Sequence, residues 1–416
     1  MYRILISAYA CEPGRGSEGE IGWSLVHELA KRHHVWVLTR ANNRGTHEVA
    51  FAKEKKPASL NFIYYDTPEW VRCYKKGKRF FLIYYYLWQF GSFFAIRRFL
   101  KRQQIDLVHH LTGGMDWMPS GLALLGLPFL WGPVGGEVVH PEILRTLPFS
   151  LQLKELFRKF VHFCGRELDP FVRLTGRRAR IILSHTPENL PKRYCGKVRP
   201  YVQTGILPSE RFAKMKDSMG RADSFTVIFA GELVHWKGAA YALEAFLRFA
   251  QKRKDVRLVM VGDGPLRPQL QQQVEHSGLS EQVEFSGKVA MDDLLDVLVK
   301  GDVFLYPSYH HGLATVVLQA MLTGLPVVCL EGDAVSRAVD ETCGFVVPLT
   351  KGGDFILGIE LALERLYLEE GVRVKFALEA REASVAKYSY TTIASGYDEI
   401  YRQLLESQGD LIAKAN

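Results

Sequence analysis

No apolar run in this chain approaches the ~18 residues that a membrane-spanning helix needs, which excludes an integral helical membrane protein. The six cysteines (Cys11, Cys73, Cys164, Cys195, Cys329, Cys343) are scattered, with no Cys-x-x-Cys pair. They offer neither a zinc site nor a disulfide framework, and they fit a reducing cytoplasm. No Gly-x-Gly-x-x-Gly of the dinucleotide-binding form occurs. Helix-turn-helix signals, zinc modules and aromatic RNA-binding strand motifs are lacking too, so the net charge of +8 is not read as that of a nucleic-acid binder. Between Trp70 and Gln104 acidic residues are missing altogether, while nine Lys/Arg stand among many aromatics.

What is present is an uneven charge and a regular alternation of elements. Residues 1–207 hold 31 Lys/Arg against 16 Asp/Glu, whereas residues 208–416 hold 22 against 29. Such asymmetry suggests that the first half faces a polyanion or an anionic membrane. The opening "MYRILISAYAC" has an apolar core of about seven residues, at the bottom of the export-signal range, and reads as a buried first strand. With 47% apolar residues over 416 positions, two cores of roughly 150–200 residues each can be filled.

Short apolar runs alternate with amphipathic stretches, the pattern of parallel α/β units. In the first half the expected strands are 3–9, 34–40, 60–66, 105–111, 127–133, 179–185 and the closing 196–206. The second half restarts with 225–233, followed by 256–265, 282–289, 302–308, 325–332 and 343–349. Polar residues with Gly and Pro at 204–224 mark the boundary. The expectation is two doubly wound domains, 1–207 and 208–387, with ligands at the carboxyl ends of the strands.

Several landmarks then fall in a distinctive order: "FAGELVHWKG" (229–238), "LVMVGDGP" (258–265), "VEFSGKV" (283–289), "DVFLYPSYHHGLATVVLQAMLTGLPVV" (302–328) and "GFVVPL" (344–349). "PFLWGPVGGE" (128–137) and a Gly-rich loop after the first strand precede them. Together they resemble glycosyltransferase family 4, retaining nucleotide-sugar enzymes of the GT-B fold, over nearly the whole chain. The resemblance implies two Rossmann-like domains facing across a cleft, with residues 388–416 returning as a helix to the first. It also implies a UDP- or GDP-sugar donor, no metal and no other cofactor.

On that resemblance Lys237 is the cation for the donor diphosphate. The turn Gly312, Leu313, Ala314 and Thr315 opens a helix whose N–H groups favour an anion. Gly231 and Gly287 lie at strand ends in the same region, and Gly16 and Ser17, beside Gly14, Glu18 and Gly19, should face the phosphates from the first domain. The chain departs from the family at three places. Glu232 stands where an arginine is usual, and a carboxylate at ~4 Å from a phosphate would cost about 4 kcal/mol at an effective dielectric of 20. His311 replaces the glutamate that contacts the donor sugar, and it can still donate or accept a hydrogen bond. Gln319 replaces the glutamate that binds the ribose, keeping an acceptor without its charge. The family often has His-x-His where this chain has His109-His110-Leu111. Either His110 or Thr112 serves near the acceptor, or both histidines are structural.

The expected function is therefore a retaining, metal-independent glycosyltransferase acting on a glycan or lipid-linked acceptor, in bacterial surface polysaccharide synthesis. A catalytically weakened protein of the same fold, partnering an active transferase, is the alternative. Residues 70–104, with modest support from 153–180, suggest peripheral contact of a cytoplasmic protein with an anionic membrane. The central aromatics of that stretch are expected to be core.

Overall fold

The computed structural model describes residues 1–14, 16–73, 80–135, 139–207, 224–309, 312–332 and 334–413. The chain divides into two compact units. One comprises residues 1–137, 156–203 and 390–416, and the other residues 138–155 and 204–389.

The first unit is built on a parallel sheet whose described strands are β1 (Arg3–Ala8), β2 (His34–Arg40), β3 (Leu60–Tyr65), β4 (Leu107–Thr112), β5 (Phe129–Val134), β6 (Ile181–Ser184) and β7 (Val198–Pro200). Their order is β3-β2-β1-β4-β5-β6-β7. The central strands are apolar on both sides because helices cover both faces. Alternation along β1 divides the core accordingly. Ile4, Ile6 and Ala8 join one buried cluster, while Leu5 and Tyr9 join the other. The helix Phe81–Leu100 packs on the second face through Tyr84, Tyr85, Trp88 and Ile96. Most of the aromatics in the segment 70–104 therefore split between core and surface, whereas residues 74–79, with four of its cations, lie outside the described residues.

The opposite face is covered by the helix Tyr390–Ala413, whose Tyr397, Tyr401 and Leu404 are wholly buried against Ile4, Ile6 and Leu130. Hydrogen bonds fix its rotation. Tyr201 donates its hydroxyl to the Ile393 carbonyl at 2.6 Å, and His109 Nδ1 lies 2.8 Å from the Tyr401 hydroxyl. This terminal helix thus belongs to the first unit's core, as the sequence led one to expect of its course.

The second unit carries β8 (Phe225–Ala230), β9 (Val256–Val261), β10 (Val283–Gly287), β11 (Val303–Tyr306), β12 (Val327–Leu330) and β13 (Gly344–Val347), in the order β10-β9-β8-β11-β12-β13. All recorded pairings in both sheets are parallel. In each sheet the strand order reverses beside the first strand, at β1/β4 and at β8/β11. Loops leaving the carboxyl ends there diverge and leave a crevice for a ligand. No described helix is long and apolar enough to cross a membrane.

Candidate functional site

In the second unit, the residues that follow β8 and β9 are locked to one another by their backbones. Gly231 N–H donates to the Val261 carbonyl at 2.9 Å, Leu233 N–H to Asp263 at 3.1 Å, and Gly262 N–H to Gly287 at 2.8 Å. Gly262, at φ +133°, lies so close to the Gly231 carbonyl that a Cβ would collide with it. This stacking leaves a cavity of about 510 Å³, lined among others by Gly231, Glu232, Asp263, Lys288 and Val316. The volume is that of a small-molecule site. Glu232 is exposed at its wall, and no cation pairs with it among the described residues.

Beyond Glu232 the chain makes a single tight turn, His235–Lys237, and enters the helix Ala239–Ala250 through Gly238. Gly238 has φ +74°, and its α-carbon faces the Pro307 carbonyl so closely that only glycine fits. The turn is tied to the segment after β11: Tyr309 N–H and the Ser308 hydroxyl both donate to the Trp236 carbonyl, at 3.1 and 3.0 Å. Lys237 is held in the same way, its ammonium donating to the Tyr306 hydroxyl at 2.9 Å and lying 5.6 Å from the centre of that ring. Tyr306 is almost wholly buried at the end of β11. Burial and the nearby charge of Lys154 push the pKa of His235 down.

The same segment leads to the helix Thr315–Leu322. Val317, Leu318, Ala320, Met321 and Leu322 are buried, so this helix is core, but its first turn is partly open. Gly312 has free space where a Cβ would stand, Leu313 is buried with its carbonyl accepting from Thr204 at 2.9 Å, and Ala314 is the N-cap without a side-chain bond. The buried Thr315 hydroxyl has no hydrogen-bond partner among the described residues. Gln319 stands one turn further along and is half-buried. His311 lies outside the described residues.

Gly231, Glu232, Gly287, Lys237 and the 312–319 segment therefore share the carboxyl edge of one sheet. Three residues there went unnoticed in the sequence. Lys288 directly follows Gly287 in a motif whose glycine alone drew attention. Tyr306 and Asp263 read as a strand end and a turn acid. The signal for Tyr306 was a polar-tipped aromatic ending an otherwise apolar strand.

In the first unit Gly16 and Ser17 open the helix Gly16–Ala30. Glu18 accepts the Gly113 N–H at 2.6 Å, joining the loops after β1 and β4. Its carboxyl is pushed up by the surrounding protein mass, opposed by that hydrogen bond and by Arg40, although its side chain still touches solvent. Thr112 is occupied as well, exchanging hydrogen bonds with the backbone of Ala10 at 3.0 Å. His109 and His110 are both interior. His109 Nε2 donates to the Gly132 carbonyl at 2.8 Å, which leaves Nδ1 to accept from Tyr401. His110 meets Ser120 at 2.9 Å and, more weakly, Tyr85 at 3.4 Å. Burial lowers their pKa values to about 3 and about 4, so both rings are neutral near pH 7. Of the two readings open for this pair, the geometry matches the structural one: His110 is 2% exposed and hydrogen-bonded to Ser120 and Tyr85. Among the described residues no group of three or more His, Cys, Asp or Glu is placed to hold a metal ion.

Residues 224–365 match the group 1 glycosyltransferases. That span holds Gly231, Glu232, Lys237, Gly287 and the helix Thr315–Leu322. The chain is 27% identical over 195 residues to an α-D-kanosaminyltransferase of Streptomyces kanamyceticus, covering 47% of this chain and 50% of that one. It spans about half the length, or less, of the first curated relatives it matches. Among solved structures it is similar to the sucrose-phosphate synthase of Thermosynechococcus elongatus, with TM-score 0.63, 16% identity and coverage of 98% and 100% of the two chains. The Anabaena protein HepE in complex with UDP has TM-score 0.60 at 16% identity, over 97% and 100% of the two chains. The glycosyltransferase resemblance thus holds, and the two Rossmann-like units are those of the GT-B fold.

Proposed function

We propose that this chain is a family 4 retaining glycosyltransferase that moves a sugar from a nucleoside diphosphate to a glycan or lipid-linked acceptor, in bacterial surface polysaccharide synthesis. The observation that carries the reading is that Lys237, held by Tyr306, shares a sheet edge with a partly open helix start whose Thr315 hydroxyl has no partner among the described residues. Leaving-group charge develops on the diphosphate, and a fixed cation with aimed N–H and O–H donors stabilises it without reorganising. UDP in the HepE complex supports a nucleotide donor for this fold.

In this reading the bond from the anomeric carbon to the phosphate oxygen breaks on the face where the acceptor oxygen bonds. The acceptor hydroxyl proton passes to the departing phosphate. Lys237, Thr315 and the N–H groups following Gly312 hold the diphosphate, with no metal ion. Gly231, Glu232 and Gly287 border the nucleoside, Gln319 bonds the ribose, and His311 orients the sugar. Gly16 and Ser17 are assigned to the donor phosphates, and no proton transfer is assigned to His110. Residues 70–104 would rest on the inner face of the membrane.

Calorimetric titration of a panel of UDP- and GDP-sugars tests the proposal. Saturable binding of at least one donor is expected, and Lys237→Ala should lose turnover of that donor. Absence of binding across the panel would refute the enzyme and leave a binding or scaffold role for the fold.

A further inference from the structure

The helix Phe149–Phe163 carries its apolar side outward. Leu151, Glu155, Arg158 and His162 turn toward the protein, and His162 is buried, its ring stacked on Trp117 at 4.5 Å. Phe149, Leu153, Leu156, Phe157, Phe160 and Phe163 point to solvent, with exposures from 51% to 80%. At about 100° per residue these six side chains fill a sector of about 120°. Exposed Lys154 and Lys159 flank the sector on its two sides, and no acidic residue lies in it.

Further apolar residues are exposed past this helix. Exposed Leu168 follows, then Phe171, which packs edge-on against Phe90 at 4.6 Å. Phe90 lies in the helix Phe81–Leu100, on the stripe that exposes Ile83, Leu87 and Phe94. Arg97 and Arg98, both exposed, end that helix, in a segment without a single acid. Exposed apolar side chains in such number mark an interaction surface.

We infer that this surface binds an anionic bilayer, with the helix Phe149–Phe163 lying in the headgroup plane and its phenylalanines in the acyl boundary. An apolar stripe of Phe and Leu edged by lysines is the design of an interfacial helix, the cations reaching anionic headgroups while their stems rest on apolar surface. A second copy of the chain fits less well. Pairing two such stripes face to face sets Lys154 and Lys159 of one against lysines of the other, whichever way the helices run. The inference stands on this surface alone and needs no donor chemistry.

The test is co-sedimentation of the full chain with phosphatidylcholine vesicles and with vesicles containing phosphatidylglycerol at a roughly 7:3 ratio. Wild type should sediment with the mixed vesicles. Phe157→Glu with Phe160→Glu should weaken that partitioning at least about tenfold, with circular dichroism and thermal midpoint preserved. Lys154→Gln and Lys159→Gln should each weaken it about fivefold on the anionic vesicles only. Failure of wild type to sediment would overturn the inference, as would a Phe157→Glu, Phe160→Glu variant that sediments like wild type. A wild-type dimer that becomes monomeric in that variant, without vesicle binding, would assign the face to self-association instead.

Discussion

Changing Tyr306 to Phe removes one oxygen atom and asks how Lys237 is held. Tyr306 is 1% exposed, stacked between Phe304 and Phe229 with ring centroids 5.8 and 6.3 Å away. The ring should stay in place, so the fold should lose less than about 1.5 kcal/mol. What is lost is the 2.9 Å bond from the Lys237 ammonium. A hydrogen bond to a charged group is worth about 1.5–3 kcal/mol. Lys237 is only half-buried, so water replaces part of it. A cost of about 1 kcal/mol remains, or roughly five- to tenfold in donor turnover. Because the interaction serves charge that develops on the leaving group, the loss should fall on kcat rather than KM.

The companion substitution Lys237→Ala should cost about 10²–10³ in kcat, the range for removing one donor to a developing anion. In that background Tyr306→Phe should cost nothing more, since the group it positions has gone. Initial rates against donor concentration for wild type, both single variants and the double variant complete the cycle. If the two factors multiply, Tyr306 does not act through Lys237 and the reasoning is wrong. Near-normal turnover by Lys237→Ala would remove the role of that lysine altogether.

Three further outcomes are expected. Glu232→Arg should tighten donor binding several-fold in calorimetry, well short of the about 4 kcal/mol ceiling because the position is exposed; weaker binding would mean that Glu232 makes a favourable contact. Gly238→Ala places a Cβ against the Pro307 carbonyl at positive φ and should lower stability by about 2 kcal/mol or more; an unchanged thermal midpoint would refute that packing. His109 and His110 take up protons in the unfolded chain near pH 6.5 but in the fold only at about pH 3 and about pH 4. Stability is therefore full above pH 6.5 and falls as pH drops toward 4, by roughly 2–3 kcal/mol for each ring. Urea unfolding at pH 7, 5.5 and 4.5 should show a smaller loss in His109→Gln than in wild type, and equal slopes would exclude the buried neutral ring.

The strands were legible because a strand covered on both faces must be apolar at consecutive positions, and little else in a soluble chain is. For β2 the run His34–Arg40 coincides with the strand at both ends. Elsewhere the apolar run outlasts the strand, and β8 shows why. Leu233 is as buried as the strand itself, yet its backbone has already turned to bond with the loop after β9. Composition reports burial, and only the hydrogen-bond ladder reports where a strand ends. The site was legible in part for a related reason. Lys237 and Gly238 are local: a lysine in a turn closed by a glycine of positive φ. Tyr306 stands 69 residues away, and its bond to Lys237 exists only because β8 and β11 are neighbours in the sheet. His110 illustrates the opposite case. Two adjacent histidines at a strand end look available, but β4 is central, and adjacent residues on it face opposite buried sides.

The helix Phe149–Phe163 marks where sequence periodicity runs out. Its apolar residues recur at helical spacing, which ordinarily licenses the inference that this face is turned inward. Here the inward side holds Glu155, Arg158 and His162, and six large apolar side chains are exposed. Amphipathicity fixes that a helix has two faces and says nothing about which medium meets which face. The deciding facts are tertiary: Trp117 supplies a stacking partner for His162 on one side, while on the other no described residue covers the phenylalanines. A basic stretch read only by its charge at 153–180 thus contained the stronger signal in its phenylalanines. Removing them should weaken bilayer binding by a larger factor than removing a flanking lysine, at least about tenfold for the Phe157–Phe160 pair against about fivefold per lysine. A reversed ranking, with the lysines dominating and the phenylalanines silent, would mean that the surface is held by charge alone and that the apolar face meets something other than lipid.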